Sequence, residues 1–445
     1  MNDSFDPRSY GAVADGHSKD TIAVQAAIDA AAAQGGTVRL AGGTFVCGTL
    51  YLKSNVALEI TNSATLLASP DIADYGTDTH HNRYRNEPEL DRCFLFAQDA
   101  ENVTICGSGV IDGNAAAFPN AGSIYRPMLL RVLRCRNVRV TGLRLLNAAA
   151  WTTAFLDSDF IWATDLHIEN HRNYNGDGLD FDGCRHVWVR GCYIDGTDDN
   201  LCLQSSGLPV QDVHISDCAF TSVCAGIRIG LKSIGEISGV VISNCTMRNV
   251  WREGIKLECT EGGSITDVLV ENVAMHNVRR PIFAILNNRY RPDDLGSSVE
   301  LDHIPPIGIM ARLRFVGITA VDDEEMAHTQ RRFDNDIMGE PKFGGCRFDA
   351  NAAHPIEDVT IRDFRYTAIG GVRLADLPAA PYPEVPDRLQ APTAPGSENY
   401  YPNWSRTTHL DARNVRGLTL ENLRFTTLHS DERPKMLTEG PTVML

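Results

Sequence analysis

The sequence predicts an all-β chain, a single-stranded, right-handed parallel β-helix with a capping helix at its N-terminal end. Three observations lead there. A strand of the form V-x-I-x-x-(small or Cys)-x-(apolar), closed by a polar residue or glycine, recurs along the chain. It reads NVRVTGLRLLN from Asn137, FIWATDLHIEN from Phe160, HVWVRGCYIDG from His186, DVHISDCAFTS from Asp212, GVVISNCTMRN from Gly239 and DVLVENVAMHN from Asp267. The step between copies is 23 to 28 residues, too short for a unit to bury its own apolar face, so the units must stack as a solenoid. Within each unit the apolar residues alternate at period two and many are β-branched, which makes the unit a strand and the solenoid a β-helix. The leucine-rich repeat has a similar period, but its L-x-x-L-x-L-x-x-N spacing is absent.

An earlier copy starts at Asn102, and later copies start at Arg312, Asp358 and Gly417 after longer insertions near 286–311, 323–356 and 371–416. Residues 1–445 therefore read as one β-helix domain, with the insertions gathered on the side that binds. Tyr400 and Tyr401, in the last insertion, would wall one end of the groove. Ahead of the coils, Thr21 to Ala33 is alanine-rich with apolar residues at helical spacing, and Asp20 stands where an N-cap would. That helix would cover the open end of the stack. Cys192, Cys218 and Cys245 hold the same place in three successive copies, so their thiols are expected to form an inward ladder of small core groups.

The net charge of −16, from 57 acidic and 41 basic residues, disfavours nucleic acid and anionic membranes as partners. It leaves a local cationic site possible, because salt screens distant charges over roughly 8 to 10 Å. The first residues carry no basic and apolar leader, and no apolar run approaches the roughly 20 residues of a membrane-spanning helix. A cytoplasmic location is the expectation, with a trimmed secreted or periplasmic form as the alternative. The twelve cysteines avoid CxxC spacings, so no metal site and no cofactor are expected. The oligomeric state is left open.

A second strand follows in each coil: NGDGLDFDG from Asn175, TDDNLCLQS from Thr197, CAGIRIGLK from Cys224 and EGIKLECTE from Glu253. Two apolar residues in each must face the core: Leu179 and Phe181, Leu201 and Leu203, Ile227 and Ile229, Ile255 and Leu257. Alternation then sends Asp180, Cys202, Arg228 and Lys256 outward as one column, and Asp182, Gln204, Gly230 and Glu258 as a second. Asp177, Asp198 and Asp199 sit at the N-terminal mouth of these strands. Carboxylates so close suit general acid and base work, because repulsion and burial keep one protonated while another stays ionised. The plainer reading of aspartates that end strands and cap turns is assigned to Asp182 and Asp195.

Here the chain resembles glycoside hydrolase family 28, the polygalacturonase-like enzymes. The opening YGAVADG, DTIAVQAAIDAAAAQGGTVRLAGGTF is shared more widely with pectin-lyase-like β-helices, whereas an N-x-D motif followed one coil later by a D-D pair is specific. Asn175-Gly176-Asp177 and Asp198-Asp199 match them. The resemblance implies that Asp198 is the general acid, that Asp177 and Asp199 hold and deprotonate the attacking water, and that the anomeric centre inverts. It departs at two places. The family's G-H-G is Cys224-Ala225-Gly226, and its R-x-K, which holds the substrate carboxylate, falls on Lys256-Leu257-Glu258. Arg228, in the Lys256 column, would restore a cationic pocket or else pair with Asp180. The substrate-binding set expected is Asn175, Asp180, Arg228, Lys256, Glu258, His171 and Trp151, the last as a stacking platform for a sugar. The leading function is an exo-acting, inverting glycosidase on pectic oligosaccharides. A polysaccharide lyase or transglycosidase on the same fold, or a non-catalytic carbohydrate-binding β-helix, is the alternative.

Overall fold

The first strand of each copy of the repeat is bounded by residues whose backbone is left-handed. The first corner falls at Asn102, Asn137, Phe160, His186, Asp212, Gly239, Asp267, Arg312, Asp358 and Gly417, all with φ between 52° and 71°. The second falls five positions later, at Gly107, Gly142, Asp165, Gly191, Asp217, Asn244, Asn272, Gly317, Asp363 and Asn422, again with positive φ. This conformation costs most L-residues roughly 1–2 kcal/mol, least for Asn, Asp and Gly, which is why polar residues and glycine punctuate the repeat. Between the corners the chain is extended, so the second and fourth residues of the span point inward together.

The computed structural model describes residues 3–79, 92–120, 126–289, 301, 303–328, 341–379, 385, 404–439 and 442–444. Tyr400 and Tyr401 lie outside them, as do large parts of the three insertions. The fold is a right-handed parallel β-helix, and its residues group into two compact units, one ending at Asp198 and the other beginning at Asp199.

In the first unit, parallel registers run Val103 to Val138 to Ile161 to Val187, with Ile105, Val140, Ala163 and Val189 stacked likewise. All eight are buried. The second-strand column carries Phe155 on Phe181, with rings 5.0 Å apart and nearly parallel. The helix spans Thr21–Ala32 and buries Ala23, Val24, Ala27, Ile28 and Ala31 against the first strands Asp3–Phe5, Gly36–Leu40, Leu50–Leu52 and Val56–Ile60. Asp20 does hold the N-cap position, but its side chain does not cap the helix. Its two oxygens accept instead from the backbone N–H groups of Val13 (2.7 Å) and Ala14 (3.0 Å). The correction has a local cause: the loop before the helix folds back and presents two orphan donors first.

In the second unit the copies from Asp212, Gly239, Asp267, Arg312, Asp358 and Gly417 pair in one register, Val213 to Val240 to Val268 to Leu313 to Val359 to Leu418. The long insertions therefore leave the strand phase intact. Cys218 and Cys245 are buried in adjacent copies, and their thiols donate back to Ser216 O (3.1 Å) and Ser243 O (3.2 Å). Cys192 does the same to Arg190 O in the first unit. A hydrogen bond from Cys218, and then burial, push the Cys245 thiol up, which suits a core filler and not a nucleophile.

A corner residue offers a clean test. Asn244 (φ 55°) accepts from Asn272 Nδ2 at 2.7 Å. Asn244→Gly is expected to cost about 0.5–1.5 kcal/mol, the net worth of the lost side-chain hydrogen bond. Asn244→Val should cost about 1–2 kcal/mol more, because a β-branched residue resists positive φ. Urea unfolding of the two variants, side by side, checks the order.

Candidate active site

The first unit contributes the turn Asn175-Gly176-Asp177 and ends on Asp198. Asn175 is left-handed (φ 55°) and its Oδ1 accepts from Arg126 Nη2 at 2.9 Å, while Arg126 Nη1 donates to Tyr174 O at 2.7 Å. Arg126 is fully buried, so a fixed guanidinium braces this turn from below. Thr152 braces the next peptide, its N–H and Oγ1 both donating to Asp177 O (2.9 and 2.7 Å). Thr197 joins the turn to the aspartate pair. Its hydroxyl donates to Asn173 O (2.6 Å) and accepts from Gly176 N (3.1 Å), and it immediately precedes Asp198. Gly176 has to be glycine, since a Cβ there would lie 2.3 Å from the Thr197 hydroxyl. Asp177 is buried, whereas Asp198 is partly exposed, so Asp198 is the carboxyl that meets solvent.

Other expected residues of this unit fall as follows. Asp180 is 3% exposed and registers with Ala154. His171 is largely exposed and pairs with Asp195, Nε2 to Oδ2 at 2.9 Å. Trp151 is buried, 5% exposed, and has little ring face to offer a sugar.

The second unit holds Asp199 in a buried network of charges. Asp199 Oδ1 accepts from Ala225 N at 3.1 Å and Oδ2 from Arg228 Nη1 at 2.5 Å. Arg228 Nε donates to Glu258 Oε2 at 2.8 Å. Lys256 Nζ lies 3.6 Å from Glu258 Oε2 and 3.5 Å from Glu253 Oε2, and Arg252 Nε lies 3.7 Å from Glu253. Arg252 Nη1 also donates to Cys224 Sγ at 3.1 Å. Burial works against ionisation of Asp199, but the charge of Arg228 first, then Lys256, a hydrogen bond from Cys224 and the charge of Arg252, outweigh it. They hold this carboxyl well below the usual carboxylate range.

Two expectations are corrected here. The columns Cys202 to Arg228 to Lys256 and Gly230 to Glu258 are in register as alternation requires, yet they do not make an open charged strip. Lys256 is 1% exposed and Glu258 is 0%, because the column continues to Phe283, a fully buried ring. The anions beside Arg228 were expected to be Asp180 or a substrate carboxylate. They are Asp199 and Glu258, and Glu258 and Glu253 serve Lys256. Alternation says which way a side chain leaves the strand and nothing about which acids converge on it from other turns. Arg126, Thr197, Arg252 and Glu253 were missed for that reason, although Thr197 stands directly before the aspartate pair.

With this geometry in hand, comparison with known proteins is informative. The sequence model of glycosyl hydrolases family 28 matches residues 44–302. A probable polygalacturonase of Vitis vinifera is 26% identical over 262 residues, 52% of this chain and 52% of that protein. An exo-poly-α-D-galacturonosidase of Dickeya chrysanthemi is 25% identical over 243 residues, 43% of this chain and 40% of that protein. The chain thus spans about half the length of the curated relatives it matches. In fold it is similar to the exopolygalacturonase of Thermotoga maritima, with a TM-score of 0.68 at 18% identity over 96% of this chain and 92% of the other.

Thr197 is the place to test the brace. Thr197→Val keeps the shape but strands the Gly176 N–H and the Asn173 carbonyl in a buried setting, so it is expected to cost about 1–3 kcal/mol. Chemical unfolding measures the loss. A cost below a few tenths would show that the turn holds itself.

Proposed function

Because the chain belongs to glycosyl hydrolases family 28, we propose that it hydrolyses galacturonate-containing oligosaccharides from a chain end, with inversion at the anomeric carbon. The relatives named polygalacturonase and exo-poly-α-D-galacturonosidase support the substrate class and the chain-end cleavage. The observation that carries the reading is the Thr197 link, which ties the N-x-D turn to the chain just ahead of the D-D pair.

On this reading the partly exposed Asp198 gives its proton to the glycosidic oxygen as the bond to the anomeric carbon breaks. A water molecule attacks that carbon from the opposite face and loses a proton to a carboxylate. One water is consumed and the configuration inverts. Asp199, kept ionised by Arg228, is a weak proton acceptor and a strong anchor, so it orients the water. Asp177 then takes the proton and releases it to solvent, from which Asp198 is reprotonated.

Asp198→Asn is expected to lower turnover by about 10²- to 10⁴-fold, the worth of general acid catalysis, with an unfolding midpoint near that of the parent. A variant that keeps more than about a tenth of the rate removes Asp198 from the acid role. Product-resolved digestion of oligogalacturonides, followed by proton NMR of the first-formed anomer, checks the rest. The inverted anomer and single-unit release from one end are expected, unaffected by a chelator. A product with an unsaturated, ultraviolet-absorbing end would identify a lyase instead.

A further inference from the structure

We propose that Arg228 and Glu258 form a positioning pair that fixes the Asp199 carboxylate, and that neither of them holds an acid group of the substrate. This rests on the reading above for its catalytic part, but the pair itself is defined by geometry alone.

The guanidinium bridges two carboxylates with two different N–H groups, Nη1 to Asp199 at 2.5 Å and Nε to Glu258 at 2.8 Å. Both acid side chains are 0% exposed, and that of Arg228 is 17% exposed. A planar, five-donor fork can do this, whereas a lysine, a point charge, cannot span both acids. The surrounding charges close the account. Arg228, Lys256 and Arg252 stand against Asp199, Glu258 and Glu253, each of the six within 4 Å of an opposite charge. A buried ion pair opened to admit a sugar carboxylate would strand a buried acid.

The backbone enforces the arrangement. Arg228 and Lys256 are register partners, and Gly230 is the partner of Glu258. Gly230 is left-handed (φ 94°), and a Cβ on it would lie 2.1 Å from Glu258 O. The two strands therefore approach closely at the point where Glu258 turns toward Arg228. On the other side, Asp199 is pinned by Ala225 N. The groups that face Asp199 within its unit include Arg228, Cys224, Arg252, Lys256 and Cys202. Asp198 is its neighbour in the chain.

If Arg228 positions Asp199, its loss should act on turnover and on the protonation of the site. Full-length Arg228→Gln is expected to lower kcat by about 100-fold with KM little changed, and equally on unesterified and methyl-esterified oligogalacturonides. The acid limb of its pH profile should rise by about 1–3 pH units, the shift an adjacent cation normally imposes on a carboxyl. Arg228→Lys should return the acid limb toward the parent value. A rise in KM confined to the unesterified substrate, with kcat and the acid limb unchanged, would overturn the proposal and make Arg228 a ligand of the substrate's acid group.

A second measurement needs no turnover. Asp199 is stabilised in its ionised form when folded, so the pairing supports the fold above the ordinary carboxylate pKa and is lost as pH falls through the depressed folded value. Removing Arg228 should thus lower Tm more at pH 7 than at pH 4, where an unpaired Asp199 takes up a proton. Adding Asp199→Asn to Arg228→Gln should recover part of the lost Tm. Equal losses at both pH values and no recovery would sink the pair. If the parent cleaves no galacturonide while this pattern appears, the function reading fails and the pairing stands.

Discussion

The rest of the molecule depends on one backbone constraint: two left-handed corners, five residues apart, in each of the ten copies of the repeat from Asn102 to Gly417. They fix how many residues lie between bends, and so which side chains point in. Asparagine ladders reinforce them, with Asn137 donating to Asn102 and Asn102 to Asn55. Where a corner residue is poorly suited to positive φ, contact with a neighbouring coil supplies compensation. The Phe160 ring lies 4.5 Å from that of His186 and under the Arg136 guanidinium. Arg312 is clamped to Asp267 at 2.6 Å. Corner strain is thus a property of the stack and not of single coils, since each compensating partner comes from the coil above or below.

The same constraint explains how a site can be built from buried charge. Strands held in register bring Arg228 beside Lys256 whatever their charges prefer. Two adjacent cations in a poorly hydrated place are costly unless acids accompany them, and here Asp199, Glu258 and Glu253 do. Such a cluster is a poor source of net stability, because desolvation consumes most of the Coulombic gain. It is a good source of geometry. Asp199 and Glu258 are held by directed hydrogen bonds from Arg228, and Asp199 is kept charged without relying on solvent.

In the first unit neutral hydrogen bonds brace the backbone beside the aspartates. Thr152, Thr197 and Asn170 tie the backbone around Asp177, with Asn170 Oδ1 accepting from Ala148 N at 2.7 Å. A charged brace, Arg126, donates to Tyr174 O and Asn175 Oδ1. Asp198, at the end of this unit, stays partly exposed, and its neighbour Asp199 is enclosed. Two consecutive aspartates have thus been given different environments, which is the condition for different protonation behaviour.

Much of this was legible in the amino-acid order. The repeat from Asn102 to Gly417 set the strands, the corners and the inward residues, because a period-two pattern interrupted by Asn, Asp or Gly has few other solutions. Val213, Val240 and Val268 stack as that pattern requires. The aspartates at 177, 198 and 199 were visible as a motif, and Cys202, Arg228 and Lys256 stack in the register that alternation requires, while a register shift after Leu203 takes Gln204 out of the second column. What the order could not decide was where a side chain ends. Lys256 leaves its strand as alternation demands and is then buried against Phe283; Arg228 turns to Asp199 and Glu258 in place of Asp180 or open groove. Asp20 occupies the cap and bonds the preceding loop. Direction out of a strand is a local property set by backbone alternation. Burial and partner choice depend on which groups from other turns reach the same few ångströms, and only the folded chain brings those together.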